Sequence, residues 1–287
     1  IDVVVNHTST EHPWFIESAS GKEHPKRDWY IWQDQPNNWE SFFCGSAWKY
    51  DAATDQYYYH SFAEEQADLN WQNQEVRQAV FDVLQFWIDR GVDGFRFDVI
   101  NNLTGSDQFI DNPVGKDGKQ DHRNDVNQPG IKRVLKELNQ WIKAVDPSIF
   151  TVAEISSDQL SLINSYTEDG LFDTAFHFNL GSMEALDLEK LARDFKEMSQ
   201  QKKMPTLFFN SHDMSRSWQR LANENRDIYR LLTVFLLINR GIPFLFQGEE
   251  QGVGDYLPQQ LADIRDIQAK NKYQEELILR GKSHALI

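Results

Sequence analysis

Apolar residues along this chain fall into two alternating patterns. Short, nearly continuous apolar runs at 2–6 (DVVVN), 93–99 (DGFRFDV), 149–154 (IFTVAE), 172–178 (FDTAFHF), 205–210 (PTLFFN) and 242–247 (IPFLFQ) predict buried strands. Between them the period changes to that of a helix. Residues 74–90 set Val76, Val80, Val83, Leu84 and Trp87 on one stripe, which Gly91 stops. Residues 131–145 do the same with Val134, Leu135, Leu138, Trp141, Ile142 and Val145, ending at Asp146-Pro147. Further helices are predicted over 157–167, 184–201 and 226–240, the last ending at Gly241. Strand–helix alternation of this kind predicts an α/β fold around a parallel sheet covered on both faces. Two connections are too long for plain loops. Residues 8–70, rich in Trp, Tyr, Asn and Gln, read as a small subdomain inserted after the first strand, and residues 101–130 as a polar, turn-rich excursion.

Polar residues recur where these strands end. The first runs into Asn6-His7, the second carries Arg96 and Asp98, the third ends in Glu154, the fifth runs into His212-Asp213, and the sixth into Gly248-Glu249-Glu250. Taken one at a time, a strand-end Asp is most often a turn former or helix cap. Together they carry more weight, because parallel strands of a barrel bring their C-terminal ends to one mouth. Side chains alternate along a strand, so Arg96 and Asp98 share one side while Phe95, Phe97 and Val99 take the other. An ion pair along one strand is a poor stability device, since desolvating both charges costs several kcal/mol each. A carboxylate held ionised by a neighbouring cation is what a nucleophile needs. Asp98, Glu154 and Asp213 then form a carboxylate set, and two carboxylates flanking a sugar linkage suffice for glycoside hydrolysis. Metal binding is the rival use of such a set. It is disfavoured because the histidines are few, no H-E-x-x-H occurs, and DNPVGKDGKQD misses the calcium-loop spacing.

Composition narrows the partners. The 287 residues hold 29 basic and 44 acidic side chains, a net charge of −15, which disfavours nucleic acid and anionic membranes and suits a neutral substrate. The 19 Phe, 9 Trp and 9 Tyr fit either a large core or a sugar-stacking surface. A single cysteine, Cys44, leaves no internal disulfide and points to a cytoplasmic setting; no membrane span or leader is expected.

With these motifs in order along the chain, the sequence resembles glycoside hydrolase family 13, the α-amylase family. DVVVNH at 2–7, QADLN at 66–70, GFRFDVI at 94–100, TVAE at 151–154, FFNSHD at 208–213 and GIPFLFQGEE at 241–250 are similar to its conserved segments. The resemblance implies a (β/α)8 TIM barrel, here its strands 3 to 8, with residues 8–70 as the subdomain inserted after strand 3 and residues 1–7 and 71–287 as an incomplete barrel. It implies that Asp98 is the nucleophile, Glu154 the general acid/base and Asp213 a third carboxylate gripping sugar hydroxyls. Arg96 positions Asp98, and His7 and His212 bind the sugar. Within the family, HPWF at 12–15, RDWYIW at 27–32, PNNWESFFCGSAWKYD at 36–51 and YYYHSF at 57–62 look most like the oligo-1,6-glucosidase group. In that group a Val after the nucleophile, here Val99, goes with α-1,6 linkages.

The resemblance therefore implies a retaining hydrolase of terminal α-glucosidic bonds in short oligosaccharides, with no cofactor and room for a structural calcium ion in a full-length protein. Trehalose-6-phosphate hydrolysis or glucosyl transfer, as in sucrose isomerase or trehalose synthase, is the alternative on the same scaffold. An amylase-like binding module without catalysis is a second. Departures are Ala67 for Pro, Ala153 for Gly and HDMSR for the group's His-Asp-Gln-Pro-Arg. The opening IDVVVNH looks like a strand already under way and GKSHALI follows a helix-like run, so the chain reads as part of a longer protein.

Overall fold

The structure is a computed structural model describing residues 1–103, 108–168, 170–274 and 276–277. Residues 104–107 of the long 101–130 connection, and the closing GKSHALI, lie outside the described residues. In chain order the strands are β1 (Asp2–Val3), β2 (His7–Ser9), β3 (Trp32–Gln33), β4 (Trp48–Asp51), β5 (Gln56–Tyr59), β6 (Gln66–Asp68), β7 (Gly94–Phe97), β8 (Phe150–Ala153), β9 (Thr174–Ala175), β10 (Thr206–Leu207) and β11 (Ile242–Pro243). The helices are α1 (Pro13–Ala19), α2 (Gln74–Ile88), α3 (Ile131–Val145), α4 (Leu160–Ser165), α5 (Phe178–Gly181), α6 (Leu188–Ser199), α7 (Ser217–Arg220), α8 (Arg226–Ile238) and α9 (Ile267–Gln274). No helix among the described residues is long and apolar enough to cross a membrane.

The chain divides into two compact units. One comprises Ile1–Asp2, Val92–Asp98 and Leu135–Leu257, the other Val3–Gly91, Val99–Val134 and the described part of Pro258–Ile287. In the first unit the sheet runs β1-β7-β8-β9, and β10 pairs with β11. β7, β8 and β9 are mutually parallel, as are β10 and β11. Phe95 and Phe97 are buried, Phe97 packs on Phe172 at 5.3 Å between ring centroids, and each such burial contributes about 1.5–3 kcal/mol. Gly94 is needed where β7 meets β8: a Cβ there would stand 2.7 Å from the Phe150 carbonyl oxygen.

The ladders are shorter than the apolar runs. The run 172–178 yields only Thr174–Ala175, 205–210 only Thr206–Leu207 and 242–247 only Ile242–Pro243. Each strand leaves its ladder early, and several of the residues beyond it, such as His177, Phe208, Phe209 and Asn210, stay buried outside any ladder. The run 93–99 ends at Phe97, and Val99, expected on the strand, has φ 38° and caps a short 3-10 turn over Ile100–Asn102. Helix positions also shift slightly. On α2 the buried residues are Val76, Val80, Phe81 and Leu84, while Val83 and Trp87 are exposed, because Phe81 rotates the buried face away from the expected stripe.

The second unit is built on aromatic packing. β3, β5 and β4 form an antiparallel sheet, and Ile31, Trp39, Trp48 and Tyr59 pack as one core. β2 pairs with β6, antiparallel, so that His7 stands opposite Asp68. Asn73 caps α2, its side chain accepting the Glu75 amide.

Candidate active site

Register creates the site. β7 and β8 pair with Arg96 opposite Val152 and Phe97 opposite Ala153, and the Glu154 amide donates to the Phe97 carbonyl at 2.9 Å. One step further, Asp98 and Glu154 emerge side by side from adjacent parallel strands. The Arg96 guanidinium spans them: Nη1 donates to Asp98 Oδ1 at 2.8 Å and Nη2 to Glu154 Oε2 at 2.5 Å. Its Nε lies 3.4 Å from Asp2 Oδ1, on the other neighbouring strand. The side chains of Arg96, Asp98 and Glu154 are 16%, 21% and 8% exposed, so the cluster is largely withdrawn from water. Burial works against the charge on Arg96, but Glu154, Asp98 and Asp2 outweigh it and raise its pKa above the ordinary value.

A cleft of about 220 Å³ opens over Arg96 and Glu154 of this cluster, lined by Asp2, Arg96, Glu154, Asn210, His212 and Asp213 together with phenylalanines, while Asp98 is reached through its contact with Arg96. His212 Nε2 lies 3.3 Å from Asp213 Oδ2, and both side chains are more than half exposed. The Asp213 amide donates to Ser211 Oγ at 3.1 Å, which fixes the turn after Asn210. Phe176 contacts Phe244 at 4.8 Å and Phe208 at 5.3 Å, making an aromatic wall, and the Arg96 guanidinium stands 5.8 Å from the Phe176 ring. The structure thus brings Arg96, Asp98 and Glu154 into direct contact and sets His212 and Asp213 on the same cleft. Sequence reasoning missed Asp2, Asn210 and the aromatic wall. Asp2 had a signal, as the one charged residue in an otherwise apolar run. The phenylalanines had only the aromatic excess, which does not separate wall from core.

His7 and Val99 belong to the second unit. The His7 ring packs on Phe62 at 5.6 Å, with Nε2 3.0 Å from the Gln66 side-chain Nε2 and Nδ1 3.4 Å from the Asn6 side-chain Nδ2. Next to it Asp68, 2% exposed, accepts from Asn6 Nδ2 at 3.0 Å, from the Ser61 amide at 2.9 Å and from Ser61 Oγ at 2.5 Å. Burial raises its pKa to about 7, against the pull of those donors. The folded chain therefore holds this proton more tightly than the unfolded chain, where a carboxyl titrates at about 4. Its contribution to stability is lost as pH rises through that window. Relative to Asp68→Asn, which does not titrate, the native protein should lose about 4 kcal/mol from about pH 4 to about pH 8. Denaturant unfolding of both proteins at several pH values checks this, and a pH-independent difference refutes it. Among the described residues, no three His, Cys, Asp or Glu side chains are gathered so as to hold a metal ion.

Comparison with known proteins gives this geometry a family. The model of the α-amylase catalytic domain matches residues 1–283. An oligo-1,6-glucosidase of Parageobacillus thermoglucosidasius is 35% identical, over 96% of this chain and 54% of its own. The solved trehalose-6-phosphate hydrolase of Bacillus licheniformis superposes with a TM-score of 0.85 at 35% identity, over 99% of this chain and 55% of its own. The isomaltulose synthase of Klebsiella sp. LX3 does so at 0.90 and 30%, with the same coverage. The chain spans about half the length of the relatives that it matches. With its catalytic-domain model matched almost end to end, the chain belongs to the α-amylase family.

Proposed function

We propose that this domain carries the machinery of a retaining α-glucosidase that removes terminal glucose from short α-1,6-linked oligosaccharides. The observation that carries the reading is the single Arg96 guanidinium joining Asp98 and Glu154 at the ends of adjacent strands. Carboxylates on one guanidinium fork stand close together, as a retaining pair does at roughly 5 Å rather than the wider gap of an inverting pair. In this reading an Asp98 oxygen attacks the anomeric carbon while Glu154 gives its proton to the departing glycosidic oxygen. Glu154 then takes a proton from water, whose oxygen displaces Asp98 and leaves glucose with its original anomeric configuration. Asp213 and His212, on the same cleft, grip sugar hydroxyls, and Val99, the next residue in the chain after Asp98, bears on linkage choice. No cofactor is needed for these steps, and a cytoplasmic setting goes with the single cysteine.

The reading extends to architecture. β1, β7, β8, β9, β10 and β11 stand for barrel strands 3 to 8, with residues 8–70 as the inserted subdomain and residues 1–7 and 71–287 as the barrel. Support comes from the parallel pairings and from the named relatives.

A linkage panel tests the function. The protein is expected to release glucose from isomaltose faster than from maltose, with little turnover of trehalose 6-phosphate and no isomerised product from sucrose. Preference for trehalose 6-phosphate or a rearranged disaccharide would move it to the activity of one of the other relatives. No turnover of any sugar would leave only a binding module.

A further inference from the structure

Glu249 is a buried carboxylate that the chemistry above does not use. It is 4% exposed and sits in a 3-10 turn after β11. Gly248 and Gly252 frame that turn with φ of 84° and 70°, the left-handed region that a glycine enters without strain. The turn thus fixes where the carboxylate points. Its Oε2 accepts the Phe246 amide at 2.9 Å, and the Asn210 side chain donates to the same carboxylate. Asn210 is bound a second time: its Nδ2 donates to Ser217 Oγ at 2.8 Å, and its Oδ1 accepts the Ser217 amide at 2.6 Å. Ser217 bonds the Tyr229 hydroxyl, which donates to the Glu249 carbonyl at 2.6 Å. Asn210, Ser217, Tyr229 and Glu249 therefore close a buried ring of hydrogen bonds drawn from four separate segments: the stretch after β10, the start of α7, α8 and the turn after β11. A charge withdrawn from water in this way is costly, and an apolar side chain would close the same space more cheaply. Burial does raise the Glu249 pKa, against the Phe246 amide, Asn210 and Arg216, which lower it.

The ring ends at the cleft. Asn210 and Phe246 both line it, and Asn210 leads directly into Ser211, His212 and Asp213. We propose that Glu249 is a positioning residue for Asp213, holding the 210–213 segment at the cleft through Asn210. The proposal rests on the reading of Asp213 as the third carboxylate. It acts on kcat more than on KM, because a sugar-gripping carboxylate displaced by a fraction of an ångström loses contacts that strengthen only in the transition state.

The test is a double-mutant cycle in the natural-length protein with isomaltose as substrate. Glu249→Gln is expected to lower kcat roughly 10- to 100-fold with KM changed less than about 3-fold. In an Asp213→Asn background the same change is expected to cost no more than about 2-fold, since its route is already cut. A full loss repeated in that background, or kcat within about 2-fold of native for Glu249→Gln alone, overturns the proposal. Tyr229→Phe opens the ring while leaving Glu249 in place, and it carries the same cycle if Glu249→Gln does not fold. If the native protein turns over no sugar of the linkage panel, the functional reading fails separately. The positioning claim is then read from crystal structures: a displaced Asp213 carboxylate in the variant supports it, and an unmoved one overturns it.

Discussion

Asp98→Asn is expected to lower glucose release by about 10⁴-fold or more while leaving the fold intact. The amide keeps the shape of the carboxylate and can still face Arg96, so thermal unfolding should move little. What it loses is the charge that attacks the anomeric carbon. The companion experiment separates the two carboxylate roles. In Asp98→Ala, added azide fills the vacated space and attacks the same face of the sugar, so a β-glucosyl azide is expected. In Glu154→Ala, with an aryl α-glucoside whose phenolate departs without acid help, Asp98 still forms the glucosyl ester, and azide then displaces it to give the α-azide. Product configuration read by NMR decides between the roles. Exchanged products would swap the assignment, and undiminished turnover in Asp98→Asn would end it.

The second large effect is expected at Arg96. Arg96→Leu leaves Glu154 and Asp98 beside each other without a counter-charge in a site largely closed to water. Breaking a buried pair in this way costs about 3–5 kcal/mol, so the melting temperature should fall together with activity. Arg96→Lys restores one positive charge but not the fork, and an ammonium cannot hold both carboxylates in the plane that Nη1 and Nη2 define. It is expected to recover much of the lost stability and little of the lost kcat. Calorimetry and steady-state kinetics on the two variants check this. Equal recovery of both quantities would show that Arg96 supplies charge alone.

The strand carrying these residues was the most legible part of the chain, for a physical reason. Arg96 and Asp98 lie two residues apart, and strand periodicity alone puts them on one side, opposite Phe95 and Phe97. Their contact at 2.8 Å needs no knowledge of the rest of the fold. The contact between Arg96 and Glu154 was of another kind. It spans 58 positions and depends on the register of β7 against β8, which neither strand's own pattern determines. The family motifs supplied the roles, but not the sharing of one guanidinium. Strand ends were the least legible. Runs such as FDTAFHF and PTLFFN are apolar throughout, yet most of their length serves as cleft wall and loop rather than ladder. Apolar character marks burial, and an aromatic wall beside a cleft is as apolar as a sheet. The ring around Glu249 was invisible for the same reason as the register, since it joins four segments through side chains.

Val99 links backbone conformation to evolution. A β-branched residue held at φ 38° stores strain of order 1–3 kcal/mol, immediately after the proposed nucleophile. Random substitution toward Gly or Asn would relax the chain there and be rewarded by any selection for robustness. The same substitution would alter the side chain next to the reacting carboxylate. With Val99 proposed to bear on linkage, thermal hardening and substrate choice would not be independent traits at this position: a lineage selected only to survive heat would change the side chain beside the proposed nucleophile, and one that keeps Val99 does so against a standing thermodynamic pull.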